Sequence, residues 1–346
     1  MQSDDELYQQ GRVTLRKAVQ QFLEARELDN CTEKGIQTYR ERLGYFVTWL
    51  ETAHGIEDLE NLTLNHLRGW LAHLRKTVSA KTKAPLSDRT IHSYGKALLV
   101  FCHWIEQEEM VEKPISTRFK LPKVEKKFIP TFTSDDVEKL LEACEDRTQG
   151  NPQLQKALTA RNRAIVSLFL DSGIRLKELV GLRLCDIDKH SYVILVHRKG
   201  NKWQQVAVSR DGFKPLHVYL TKHRSVLAGS DVAHKDDWVF LNSKGEQFQR
   251  GGVEALFTRI KKRTGIDGKR VAPHNCRRYM ATTQLRMGRS PLDVQRQMGH
   301  TTLAMTNEYA SLTVEHLKRS HEMHSPLRAK DEKQRESADD GYWNVD

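Results

Sequence analysis

No C-x-x-C pair occurs in this chain, and its five cysteines (Cys31, Cys102, Cys144, Cys185 and Cys276) are odd in number. That usage argues against a closed disulfide framework and fits reduced thiols in a cytoplasmic compartment. No apolar run approaches the ~20 residues of a membrane-spanning helix. The opening MQSDDELYQQ is acidic and polar, without the apolar stretch of a signal peptide. H-E-x-x-H is missing as well: His321-Glu322-Met323-His324 closes one residue early and reads as a solvated helix end. The segment Arg198-Lys199-Gly200-Asn201-Lys202 lacks the first glycine of a phosphate-binding loop, which excludes nucleoside triphosphate binding there. There are no internal repeats. Acidic residues are outnumbered, 45 against 56 Lys and Arg, for a net charge of +11 and a pI of about 9.3. An anionic partner follows, with nucleic acid the first candidate. A ribosomal-type or membrane-surface protein is the other reading of the same composition.

At 346 residues the chain is long enough for two domains. Up to residue 112 it reads as four helices, each a polar cap followed by apolar residues spaced by three or four. Thr14 caps Leu15, Val19 and Phe22. Thr32 caps Ile36, Tyr39, Leu43, Phe46 and Leu50. Thr63 caps Leu64, Leu67, Leu71 and Leu74, and Ser87 caps Ile91, Tyr94, Leu98, Phe101 and Ile105. The bundle carries basic residues outside, Arg40, Arg75 and Lys76 among them, which can lie against a duplex. Residues 113–132 read as a linker with Pro114, Pro122 and Pro130. Proline there favours an extended path. Lys120, Lys123, Lys126 and Lys127 in the same stretch would naturally cross a phosphate backbone.

A second domain is expected over 133–328. Thr133 or Ser134 caps a first helix, and a second covers about 154–170 and stops at Gly173. A short helix then holds Arg175. Tyr192–Val196 and Gln204–Val208 predict a hairpin across a Gly-Asn turn, with Trp238–Leu241 a third strand. Helices follow around 212–227 and 252–264, and Ser290-Pro291 opens another. Thr313 can cap a last short helix ending by Pro326. Beyond about residue 329 the chain is polar, with six acids, and reads as disordered tail over 329–346. The class is mainly α with a small β-sheet.

The stretch Pro273–Ala310 concentrates the reactive side chains: His274, Arg277, His300 and Tyr309. Two imidazoles, a guanidinium and a phenol suit chemistry on a phosphodiester. The guanidinium fork fits phosphate oxygens, and a phenol can serve as a covalent nucleophile. Taken singly, each residue has a plainer reading. Arg175 can cap a helix or pair with Glu178, Lys199 can be a solvated hairpin charge, and Tyr309 can be a core residue. A zinc site on His274 and His300 lacks any Cys or acidic motif to complete it, so no metal is implied.

His-x-x-Arg at 274–277, then Gly299-His300, then Tyr309 nine residues after His300, resembles the closing part of the tyrosine recombinase (integrase) family. DSGIRLKELVGL around Arg175 is similar to that family's first catalytic box, and HRKGNKWQQVAV around Lys199 to its hairpin lysine. The order Arg175, Lys199, His274, Arg277, His300, Tyr309 is collinear with the family's, over about residues 14–328. Three positions depart from the common pattern: Arg278, Arg198 before the lysine, and Met298 before Gly-His. The resemblance, to an Xer-like two-domain member, implies a helical SAM-like core-binding domain and a mixed α/β catalytic domain clamping duplex DNA. It implies Tyr309 as nucleophile forming a 3′-phosphotyrosyl bond, Arg175 and Arg277 on the non-bridging oxygens, Lys199 as acid, His274 as base, and no cofactor. It implies partners too: double-stranded DNA with inverted half-sites, and further copies of the chain, as a tetramer on two sites, in a cytoplasmic, nucleoid-associated setting. A type IB topoisomerase-like enzyme shares the same reactive set.

Overall fold

The computed structural model describes residues 12–80, 82–125, 129–147, 151–198, 202–229 and 237–307, with 309, 318, 321–322 and 325–327. Lys126, Lys127, Lys199, most of the helix read from Thr313, and the tail after 329 lie outside the described residues. The chain divides into two compact units, 1–127 and 128–346.

The first unit contains helices α1 (Leu15–Leu28), α2 (Glu33–His54), α3 (Leu64–Lys76) and α4 (Asp88–Gln107). The expected caps start them. Thr14, Thr32 and Ser87 accept the N–H of Lys17, Gly35 and Thr90, satisfying donors that a helix leaves open in its first turn. Phe22 sits at the centre, edge-on to Tyr39, Phe101 and Trp104 with ring centroids 5.2–5.6 Å away. Within the stretch read as a linker, the Glu106 carboxylate accepts the N–H groups of Ile115 and Ser116, both at 2.6 Å. Phe119 is buried in this unit's core. Its apolar ring outweighs the extended preference of the neighbouring prolines.

The second unit is built on α6 (Pro152–Ser172), whose Ala157, Ala164, Ile165, Val166, Leu168 and Phe169 are all buried. From Ala164 to Leu170 every residue is buried, so this part of the helix runs through the interior of the unit. Ahead of it is α5 (Ser134–Glu142), capped by Thr133, and after it α7 (Leu176–Val180). Strands β1 (Ile187–Asp188), β2 (Val193–Arg198) and β3 (Lys202–Ala207) form one antiparallel sheet in the order β1-β2-β3, with Arg198 opposite Lys202. Helices α8 (Arg210–Val218), α9 (Arg224–Ala228), α10 (Arg250–Thr264), α11 (Pro273–Arg286), α12 (Pro291–Met298) and α13 (Leu303–Asn307) complete the described elements. A single π turn, Tyr219–His223, joins α8 to α9 after Pro215.

One expectation is corrected. Trp238–Leu241 is no strand of the sheet: Trp238 makes a lone bridge to Arg183 and Leu241 one to Gln247, and the third strand is β1. Val239, Phe240 and Leu241 are all buried, so the segment is an apolar core crossing. A short apolar run reads the same way in either case.

Gly173 ends α6 with φ +65°, and a Cβ there would run into Met280 Cε. Left-handed backbone costs an L-residue roughly 1–2 kcal/mol and overpacking typically about 1–3 kcal/mol. Gly173→Ala should therefore destabilise the second unit by about 2–5 kcal/mol in a urea titration. A loss below about 1 kcal/mol would show that neither constraint operates.

Candidate active site

Arg175 is the residue ahead of α7, and its place there is fixed by Glu178 one turn on. The Glu178 carboxylate accepts the Arg175 backbone N–H at 2.8 Å and its Nη1 at 2.8 Å. Arg175 Nη2 donates to the Gly299 carbonyl at 3.2 Å. So Arg175 both precedes a helix and pairs with Glu178, and still lies at the centre of the constellation. Its side chain is 40% exposed, against 3% for Glu178.

Arg277 comes from the first turns of α11 and is buried. Its Nη1 donates to the Gly173 carbonyl, and its Nη2 to the Met298 carbonyl at 2.6 Å. Burial, then the charge of Arg175, brings its pKa down to about 10, so it stays protonated at neutral pH. Arg277 Nη2 also lies 3.1 Å from His300 Nε2. A guanidinium has no acceptor, so this ring nitrogen accepts, and the proton of a neutral His300 sits on Nδ1. From there it is donated to Thr306 Oγ1, 3.0 Å away on α13 and fully buried. Burial, then Arg277 and Arg175, lowers the His300 pKa to about 4, in keeping with the neutral form.

Tyr309 stacks on His300, ring centroids 5.9 Å apart and planes 19° from parallel. Its N–H donates to the Thr306 carbonyl at 2.9 Å. Only 7% of it is exposed, and it belongs to a small apolar cluster with Met280, Ala281, Leu285, Val294 and Met298. The Arg278 guanidinium lies over its ring at 5.2 Å. His274 opens α11 at the surface, close enough that its charge bears on His300. Partial burial lowers its pKa, followed by Arg277, Arg278 and Arg270.

Of the six residues singled out in the sequence, Arg277, His300 and Tyr309 thus touch in turn, and Arg175 joins them through the Gly299 carbonyl. His274 borders them, and Lys199 follows directly on β2. Among the described residues no group of three His, Cys, Asp or Glu could hold a metal ion. Of the basic residues in the first unit, Arg40, Arg75, Lys76, Lys120 and Lys123 are exposed.

Sequence reasoning missed the residues that hold the site. Arg198 is buried on the inward face of β2 with Ile194 and Val196, and its Nη2 donates to the Gln297 carbonyl at 2.9 Å. The two-residue alternation could have revealed it, but an arginine at a strand end reads as solvated. Gln297 Nε2 donates to the Ala207 carbonyl at 2.7 Å and to that of Ser172 at 3.2 Å, joining β3 and α6 to α12. Gly299 has φ +59°, and a Cβ on it would overlap Arg198 Nη1.

A helical unit followed by an α/β unit with converging arginines, imidazole and phenol defines the class, and comparison with known proteins gives the family. The Phage integrase family matches residues 130–316, and the Phage integrase N-terminal SAM-like domain matches 19–86. The chain belongs to the phage integrase family. It is 27% identical over 291 residues to tyrosine recombinase XerD of Listeria monocytogenes serotype 4b (strain F2365), covering 84% of this chain and 92% of that one. To tyrosine recombinase XerC of Lactobacillus leichmannii it is 30% identical over 247 residues, 71% of this chain and 80% of that one. Its fold is similar to that of the Tn1549 transposon integrase in complex with transposon right end DNA, with a TM-score of 0.68 at 18% identity over 90% and 99% of the two chains. It is similar also to XerH recombinase bound to palindromic difH substrate, at 0.65 and 22% over 90% and 84%. No helix among the described residues is long and apolar enough to cross a membrane.

The His300 environment has a consequence for stability. Its folded pKa of about 4 lies below the ordinary 6.5, so between these values the unfolded chain takes up a proton that the native site refuses. The contribution is complete above about pH 6.5 and is lost as pH falls toward 4. The melting temperature should drop across this window. His300→Gln should drop less steeply, and equal slopes would place the titration elsewhere.

Proposed function

We propose that this chain is a tyrosine-type site-specific recombinase, which cuts and rejoins duplex DNA through a covalent bond to Tyr309. The observation that carries the reading is a chain of contacts: a neutral His300 stacks on the Tyr309 ring and accepts from Arg277, and Arg175 is bonded to the adjoining Gly299 carbonyl. Tyr309 Oη attacks the scissile phosphorus, forming a 3′-phosphotyrosyl bond as the bond from phosphorus to the 5′ oxygen breaks. Arg175 and Arg277 neutralise the non-bridging oxygens as charge builds, a fixed electrostatic arrangement that needs no reorganisation. The phenol has an ordinary pKa near 10 and needs a base. His274 takes that proton, being neutral at pH 7 with its pKa lowered. Lys199 gives a proton to the leaving 5′ oxygen. His300 aligns Arg277 through Nε2 and backs the Tyr309 ring. A 5′-hydroxyl of another strand reverses the step, and since the phosphodiester energy is kept in the protein link, no ATP is consumed.

The exposed Arg40, Arg75, Lys76, Lys120 and Lys123, with Lys126 and Lys127, neutralise backbone phosphates around the duplex. The first unit, up to about residue 112, and the catalytic unit, from about 133, clamp the DNA, with the basic stretch between them crossing it. Two copies occupy inverted half-sites and four assemble on two duplexes, integrating, excising or resolving a DNA element in the cytoplasm at the nucleoid. The recombinase names of the relatives favour strand exchange over topoisomerase-like relaxation.

Tyr309→Phe removes one hydroxyl and little volume. Folding and DNA binding should survive, while the denaturation-resistant protein–DNA adduct formed on supercoiled plasmid should vanish. An adduct persisting in the Phe variant would remove Tyr309 from the reaction.

Lys199→Ala should slow cleavage of ordinary DNA strongly. A substrate with sulfur at the bridging 5′ position needs no proton on its leaving group, so there the variant should recover. Equal defects on both substrates would assign Lys199 to positioning instead.

A further inference from the structure

Beneath the Gly299–His300 turn, three guanidiniums gather about one carboxylate. Glu178 Oε1 accepts Arg175 Nη1 at 2.8 Å and faces Arg198 Nε at 3.8 Å. Arg277 stands in the same field, its charge disfavoured by Arg175 and Arg198 and favoured by Glu178. The site therefore holds more positive charge than it can pair, in a buried place where unpaired charge is costly.

The two arginines on Glu178 differ in how they are used. Arg175 has its donors taken by Glu178 and by the Gly299 carbonyl. Arg198 does not: Nη2 reaches the Gln297 carbonyl, while buried Nε and Nη1 have no hydrogen-bond partner among the described residues. Burial lowers its pKa, Glu178 raises it and Arg175 lowers it again. A buried guanidinium with open donors is a poor device for stability. Yet the fold makes room for it, since only a glycine at 299 leaves space for Nη1. An anion that takes Arg175 Nη1 takes it from Glu178 Oε1, leaving that oxygen of a buried carboxylate without its hydrogen-bond donor.

We propose that Arg198 is a positioning residue for Arg175: its open Nε–H takes over Oε1 of Glu178 when an anion draws the Arg175 guanidinium away. Closing 3.8 Å to hydrogen-bond length needs a shift of about 1 Å. Glu178 is then paired in both states, and Arg175 is free to offer two donors to phosphate oxygens. This inference rests on reading Arg175 as a phosphate ligand.

The test uses the full chain, inorganic phosphate as probe, and thermal shift as readout. Arg175→Met identifies the part of the phosphate response that belongs to this site. Arg198→Met should weaken that part at least about tenfold, while the ligand-free melting temperature stays equal to or above that of the parent, because a poorly paired buried charge has gone. Placed on Arg175→Met, the same substitution should change phosphate affinity less than about twofold, since the fork to be released is absent. Unchanged phosphate affinity in Arg198→Met overturns the proposal. So does a phosphate response that Arg175→Met leaves intact. A lowered ligand-free melting temperature would make Arg198 merely structural, and additive losses in the double variant would make it a direct anion contact. If Tyr309 forms no adduct with plasmid, the recombinase reading fails, but the phosphate titration still decides this one.

Discussion

Four consecutive carbonyls at the end of α12 hold the site together, each accepting a side chain from a different part of the unit. Arg296 O takes Gln204, Gln297 O takes Arg198, Met298 O takes Arg277 and Gly299 O takes Arg175. A helix leaves its last carbonyls without backbone partners and carries partial negative charge there. Guanidiniums are well suited to that end, being rigid, multidentate and always charged. Here the cap of one short helix gathers three arginines that are 23, 79 and 102 residues apart along the sequence from one another, taking Arg175, Arg198 and Arg277 in pairs. The left-handed turn at Gly299 then delivers His300 directly beside them.

The same helix end is tied to the rest of the unit from below. The Gln297 side chain reaches the carbonyls of Ser172 and Ala207, so the end of α6 and the end of β3 are fixed to α12 at one residue. Asp171, next to Ser172, accepts both the N–H and the hydroxyl of Ser209 at 2.7 Å, which pins the start of α8 to the end of α6. A Cβ on Gly212 would collide with that Asp171 carboxylate. Gly173, one residue beyond Ser172, offers its carbonyl to Arg277. These are short polar links between ends of elements, and they position donors far more narrowly than apolar packing alone would.

What the sequence disclosed follows from this construction. The caps at Thr14, Thr32, Ser87, Thr133 and Ser290 were legible because a capping residue acts on its own next turn. The meeting of Arg175, Arg277, His300 and Tyr309 was legible only through the resemblance, since nothing local to Arg175 announces Gly299. Arg198 and Gln297 were not legible: the carbonyls they bond lie about 90 or more positions away, and each reads as an ordinary surface side chain. The segment 238–241 misled for the opposite reason. Its apolar run is buried, but burial does not specify pairing.

A carbonyl is a weaker partner for a guanidinium than a phosphate oxygen, which bears full charge. The α12 end orients Arg175 and Arg277 through partners weaker than a phosphate oxygen would be. That balance extends to Tyr309. His300 is bonded to Arg277 on one side and to Thr306 on the other, and Thr306 accepts the backbone N–H of Tyr309. A change in what Arg277 grips is thus two contacts from the Tyr309 ring, through His300, and three from its backbone N–H, through His300 and Thr306. Tyr309 itself lies within an apolar cluster, with one ring face on His300. Such a phenol is held by packing and stacking, interactions that are short-ranged and readily exchanged. The arginines are held by polar links that fix direction. Rigid cations beside a phenol held by packing is the division that the proposed exchange, with an entering and a leaving oxygen on one phosphorus, requires. In that proposed exchange the arginines would serve both halves from one place, and only the oxygens would have to move.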